Sequence, residues 1–69
     1  MFQELDVIAL TVDIPEASLV IGNVGTIVHV CTPGAYEVEF VDNDGKTYGL
    51  LTLKSEQIMR LQFAPVAAV

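Results

Sequence analysis

His29 and Cys31 stand two residues apart in the stretch "GTIVHVCT" (residues 25–32). On a strand, that spacing puts both side chains on one face. An imidazole beside a thiol could be half of a metal site, or could activate the thiol as a nucleophile. A metal site needs three or four ligands, and the chain has one histidine and one cysteine. Carboxylates would have to complete the set. The plainer reading is a surface histidine beside a small, half-buried cysteine. We adopt it, because a free cysteine usually behaves as a small hydrophobe.

Glu37 and Glu39 repeat the two-residue spacing in "AYEVEF" (residues 35–40). Their carboxyls would lie roughly 6 to 7 Å apart, given the rise of a strand. Paired carboxylates at such a distance can share acid–base work, but only inside a cleft that raises the pKa of one of them. A chain this small offers no obvious cleft. The pair reads better as a solvated acidic stripe, which could meet a basic partner. Asp42, Asp44 and Gly45 have the residue types of a calcium loop. A complete loop needs about twelve residues and a terminal glutamate. "DNDGKTYGLLTL" lacks that glutamate, and a hairpin turn accounts for it. Gly22 and Gly25 are too sparse for a phosphate-binding loop, with no helix behind them. One strand histidine supports no Ser-His-Asp set. Tyr36 and Phe40 fall on the apolar face of their strand. Tyr48 is therefore the aromatic best placed for the surface.

These residues need a scaffold, and the pattern of the chain describes one. "LDVIALTV" (residues 5–12) reads as a first strand, only partly buried because Asp6 lies within it. Pro15 holds Ile14 extended and ends that strand. A long, partly ordered loop follows, from which Leu19, Val20 and Ile21 are expected to fold back onto the core. "GTIVHVCT" is a second strand, rich in β-branched residues. "PGA" is a short turn. "AYEVEFVD" alternates apolar and acidic residues with the period of two of a half-buried antiparallel strand. "DNDG" (residues 42–45) is a tight turn in which Gly45 can take positive φ. "KTYGLLTL" is a fourth strand. "KSEQ" is one helical or 3-10 turn with Ser55 as its cap, and "IMRLQF" is a short fifth strand. The expected fold is all-β: a small five-stranded SH3-like barrel with a long first loop and a 3-10 turn before the last strand. Its core is expected to include Val7, Val28, Val30, Val38, Phe40, Leu51 and Leu53. Residues 1–61 would form the single domain and residues 62–69 an apolar C-terminal tail.

Composition narrows the functions that such a barrel could carry. The chain has 69 residues, enough for one domain with a small core. Yet 52% of them are hydrophobic, a surplus that suggests another chain covers part of the surface. Nine acidic residues face three basic ones, for a net charge of −6. That sign disfavours nucleic-acid backbones and anionic membranes. A lone cysteine excludes an internal disulfide framework and fits a reducing, cytoplasmic setting. The N-terminus "MFQELDVIAL" has no basic n-region of a signal peptide. No apolar run approaches the roughly 18 to 20 residues that cross a bilayer.

"LDVIAL", "GNVGTIVHV", "GAYEVEFVDNDGKT" and "LLTLKSEQI" occur in this order, and together they resemble a family of short bacterial proteins, domain of unknown function 4926. The resemblance covers residues 4–60 and leaves residues 62–69 outside. It implies an SH3-like or KOW-like barrel. It also implies companions of neighbouring gene products, some in arrangements that resemble toxin–antitoxin pairs. "GNVGTIV" is in addition similar to the KOW motifs of ribosomal and transcription proteins, where a glycine permits a tight turn into a strand. The basic residues of those motifs are missing here.

Three function classes follow. The first is a non-catalytic protein-interaction module: a small acidic accessory or antitoxin-like partner of a larger protein, itself basic and encoded nearby. The second is a KOW-like nucleic-acid or translation-associated domain, for which Lys46, Lys54 and Arg60 are too few and scattered. The third is a small enzyme, for which no residue set survives. We expect the first, with no cofactor, no metal and no catalytic residue. The residues expected to meet a partner are Glu37, Glu39, Tyr48, Leu61, Phe63 and Val66. Leu61, Phe63 and Val66 belong to the last strand and tail, which could also support a weak homodimer.

Overall fold

The computed structural model describes residues 2–42 and 44–61. Strands β1 (Val7–Leu10), β2 (Val24–Thr32), β3 (Ala35–Val41), β4 (Thr47–Lys54) and β5 (Ile58–Arg60) form one antiparallel sheet in the order β4-β3-β2-β1-β5. The 3-10 turn Ser55–Gln57 leads into β5, which returns to pair with β1. The fold is the all-β one expected, with its five strands, long first loop and 3-10 turn before the last strand. Phe63, Val66 and the rest of residues 62–69 lie outside the described residues.

Alternation along β3 sets the two faces. Tyr36, Val38 and Phe40 are buried, while Glu37 and Glu39 turn to the opposite, outer face. The inner face is completed by Ile8 and Leu10 of β1, Ile27 of β2, Leu53 of β4 and Ile58 of β5. This core differs from the expected one in a consistent way. Val28 is exposed, and Val7, Val30 and Leu51 are half-buried. Only Val38, Phe40 and Leu53 of the seven are fully inside. Pairing explains the difference in β2. Ile27 faces Val38 and His29 faces Glu37, so Val28 is the extra residue of a β-bulge. A second extra residue, Cys31, sits between Val30 opposite Tyr36 and Thr32 opposite Ala35. The inward phase thus runs Gly25, Ile27, Val30, rather than along every even residue. In β1 it is Ile8, not Val7, that pairs with Gly25 on the inner face.

The long loop is more ordered than its composition suggests. Pro15 opens a 3-10 turn, Pro15–Ala17, and Ser18 takes a left-handed conformation at φ 58°. Ile14 and Leu19 then exchange backbone hydrogen bonds of 2.8 and 3.1 Å across this turn. Both side chains drop into the core. Asp13 Oδ1 accepts from the Ile21 N–H and Asn23 Oδ1 from the Val20 N–H, which closes the return to β2. Val20 and Ile21 therefore face solvent, against expectation; only Leu19 folds back.

Turn chemistry follows the sequence. Pro33-Gly34, with Gly34 at φ 86°, has the residue order of a type II turn. Such a turn splays a hairpin, and the adjacent bulge at Cys31 adds the local twist that offsets this. At the other end of β3, Asp42 Oδ1 accepts the Asp44 and Lys46 N–H groups, each at 2.9 Å. The Gly45 N–H donates to the Asp42 carbonyl, and Gly45 takes φ 79°. Ser55 is not the cap of the last 3-10 turn. The Lys54 N–H is satisfied at 2.8 Å by Gln57 Oε1, whose longer side chain reaches back over the turn.

Candidate interaction face

Antiparallel partners share a face, so the register defines what the outer side of the sheet presents. One row across it is Leu50 of β4, Glu39 of β3, Thr26 of β2 and Val7 of β1. A second is Thr52, Glu37 and His29. Beyond the first row, Val41 pairs with Thr47, and Val24 pairs with Ala9, which pairs in turn with Met59. Val24, Val41, Leu50 and Met59 are each about half exposed. The outer face therefore carries apolar residues from four strands, with Glu37 and Glu39 among them on the central one.

The expected contact residues divide on this frame. Glu37 and Glu39 are half-buried by their neighbours and open to solvent on the outer face. The Thr47 hydroxyl donates to Glu39 Oε2, which fixes that carboxylate against β4. Tyr48 is exposed, as expected, and is the extra residue of a third bulge, between the pairs Phe40–Gly49 and Val41–Thr47. Its ring lies 6.4 Å from that of Phe40, tilted by 49°. Leu61 is half-buried, and its N–H donates to the Val7 carbonyl at 2.8 Å. That bond continues the β5 edge and ties Leu61 to the sheet.

The spacing of His29 and Cys31 does not bring them together. The bulge at Cys31 breaks the alternation between them. His29 faces Glu37 across the sheet, and its Nδ1 lies 3.8 Å from Glu4 Oε2. Both of those side chains are mostly exposed. Cys31 instead lines an open groove of about 360 Å³ with Phe2, Pro33 and Tyr36. Phe2 was not singled out in the sequence. Its ring packs edge-on to Tyr36 at 5.3 Å, and the Arg60 guanidinium stands 5.6 Å from its centroid. Arg60 Nε also donates to Asp6 Oδ2 at 3.2 Å. An N-terminal phenylalanine ahead of the first strand carries no periodic signal that could have placed it. Asp42 spends its Oδ1 on backbone N–H groups, as a turn residue does. Among the described residues no three His, Cys, Asp or Glu side chains converge as metal ligands would.

Comparison with curated proteins finds no match, and neither does comparison with solved structures. No helix among the described residues is long and apolar enough to cross a membrane. A family model described as Domain of unknown function (DUF4926) matches residues 4–60, a span that runs from ahead of β1 through β5. The chain belongs to that family.

Proposed function

We propose that this protein is a non-catalytic protein-interaction module, a small acidic partner of a larger protein that binds through the outer face of its sheet. The observation that carries this reading is the composition of that face. Val24, Val41, Leu50 and Met59 leave apolar surface in water, and Glu37 and Glu39 set a negative potential among them. Exposed apolar patches with polar residues beside them mark contact sites on soluble proteins. The matching surface is apolar with lysine or arginine at its centre. An accessory subunit and an antitoxin-like inhibitor are the two forms this role would take, in a cytoplasmic setting.

The test is capture by the tagged full-length chain from its native host, followed by mass spectrometry. The parent should enrich a basic protein that the Glu37→Lys, Glu39→Lys double variant loses. Equal recovery by both would remove the acidic face from the reading. Reversing two charges on an exposed face should leave the fold intact, which a melting curve checks.

The positions of the basic residues argue against nucleic acid. Lys46 and Lys54 flank β4 at opposite ends, and Arg60 lies across the sheet on β5, engaged with Asp6. At ~150 mM salt the protein should not shift single- or double-stranded oligonucleotides below about 10⁻⁴ M, the weak edge of non-specific binding. Saturable, salt-sensitive binding at micromolar concentration would instead establish a KOW-like role.

A further inference from the structure

We propose that β4 is a self-association edge, along which two copies of this chain pair antiparallel to make one continuous sheet. The two outer strands of the sheet are unequal. β5 has three residues, whereas β4 has eight. Among the described residues, the backbone of Thr47–Leu53 hydrogen-bonds only within its ladder to β3. Natural edge strands are commonly blunted by proline, by interior charges, by bulges or by shortness. β4 has no proline, and its one charge, Lys54, is terminal. Its bulge, at Tyr48, lies near the other end, so Gly49–Leu53 pair with β3 in unbroken register. A regular edge of five residues is thus without a strand partner among the described residues.

Charge selects a second copy as the occupant. The chain carries a net charge of −6, yet β4 contains no acid. Along this strand two copies can approach without carboxylates meeting. Within the sheet, the nearest acids, Glu37 and Glu39, sit one strand further in. Across two β4 strands, Glu39 of one copy would lie about 14 Å from Glu39 of the other, from three strand spacings. That exceeds the Debye length of about 8 Å at physiological salt, so their repulsion is screened. Direction is selected as well. Lys54 ends the strand, and the Asp42–Gly45 turn precedes its start. Antiparallel pairing brings each Lys54 to the other copy's turn, where Asp42 and Asp44 outnumber Lys46, the one lysine just ahead of the strand. Parallel pairing would set lysine on lysine and turn on turn. This contact uses the edge and leaves the Glu37–Glu39 face open, so it stands or falls separately from the heterologous partner.

The experiment needs no partner. Sedimentation of the full chain from about 1 to 500 μM should show a monomer–dimer equilibrium, weak because a single strand pair buries little area. Leu50→Lys, at an exposed position in the middle of the edge, should raise the dimer dissociation constant at least tenfold. Met59→Lys, equally exposed on β5, should leave it unchanged. Amide hydrogen exchange gives a second readout that does not depend on any variant folding. Protection should grow with concentration at alternate amides of Gly49–Leu53 and not in β5. A monomer across the whole range would overturn the proposal. So would a dimer weakened by Met59→Lys but not by Leu50→Lys, or one whose added protection falls on β5.

Discussion

Phe40→Ala should lower the melting temperature by at least about 12 °C. Phe40 is fully buried at the centre of β3, the middle strand of the β2–β4 meander. Both neighbouring strands make room for its ring with a glycine: Gly25 on β2 and Gly49, its register partner, on β4. Neither glycine can fill the space if the ring is removed. Truncating a buried phenylalanine costs about 3 to 5 kcal/mol. A domain of this length holds only about 3 to 10 kcal/mol in total. Each kcal/mol shifts the midpoint of a small domain by about 4 to 8 °C. Thermal and urea melts followed by far-UV circular dichroism measure this. A variant melting within a few degrees of the parent would show that the core is not built around this ring.

The second large effect is expected from adding a single methyl group. A Cβ at Gly25 would lie 2.8 Å from Val38 Cγ1, 2.9 Å from the Glu39 carbonyl oxygen and 2.9 Å from Phe40 Cδ1. One of these is backbone of the paired strand, so β2 and β3 would have to separate. Overpacking of a tight core costs about 1 to 3 kcal/mol, and a clash with backbone places Gly25→Ala at the upper end. Gly49→Ala is the internal control. Its added Cβ would stand 3.7 Å from Phe40 and 3.9 Å from Leu19, ordinary contact, and should change stability by less than about 1 kcal/mol. Combining Gly25→Ala with Phe40→Leu should recover part of the loss, because the two changes share one space. Strict additivity of the two would mean that the ring is not what Gly25 accommodates.

Gly25 also shows what could be read from the sequence and what could not. The similarity of "GNVGTIV" to KOW motifs suggests a glycine that permits a turn. In the fold the turn glycine is Gly22, at φ 93°, and Gly25 lies inside β2 to admit Phe40. Local signals were legible because their causes are local. Alternation in "AYEVEF", the Pro33-Gly34 turn and the turn at Asp42 each depend on neighbouring residues. The inward phase of β2 depends on two residues that have no partner on β3, and nothing in "TIVHVCT" marks Val28 and Cys31 as the extra ones. That error carried into the site, since it put His29 and Cys31 on one face. The acidic stripe survived because the extra residues of that ladder lie on β2, so β3 itself alternates without a break from Glu37 to Glu39. Its apolar surround was not legible, because Val24, Val41, Leu50 and Met59 reach one face only through the register of five strands.

The ladders of this sheet also differ in how far along the chain they reach. β2, β3 and β4 are joined by tight turns, and each pairs with the strand next to it in sequence. The seam between β1 and β5 instead joins Ile8 to Arg60, near opposite ends of the chain. Closing such a span costs more chain entropy than closing a hairpin, and contacts of that kind slow folding. The β2–β4 meander can assemble around Phe40 before β5 has found β1. Until it does, β1 has one bare edge, and Ile58 and Leu10 lack each other as neighbours. The long-range seam is thus where the sheet should open first, and its amides should exchange fastest of those hydrogen-bonded between strands.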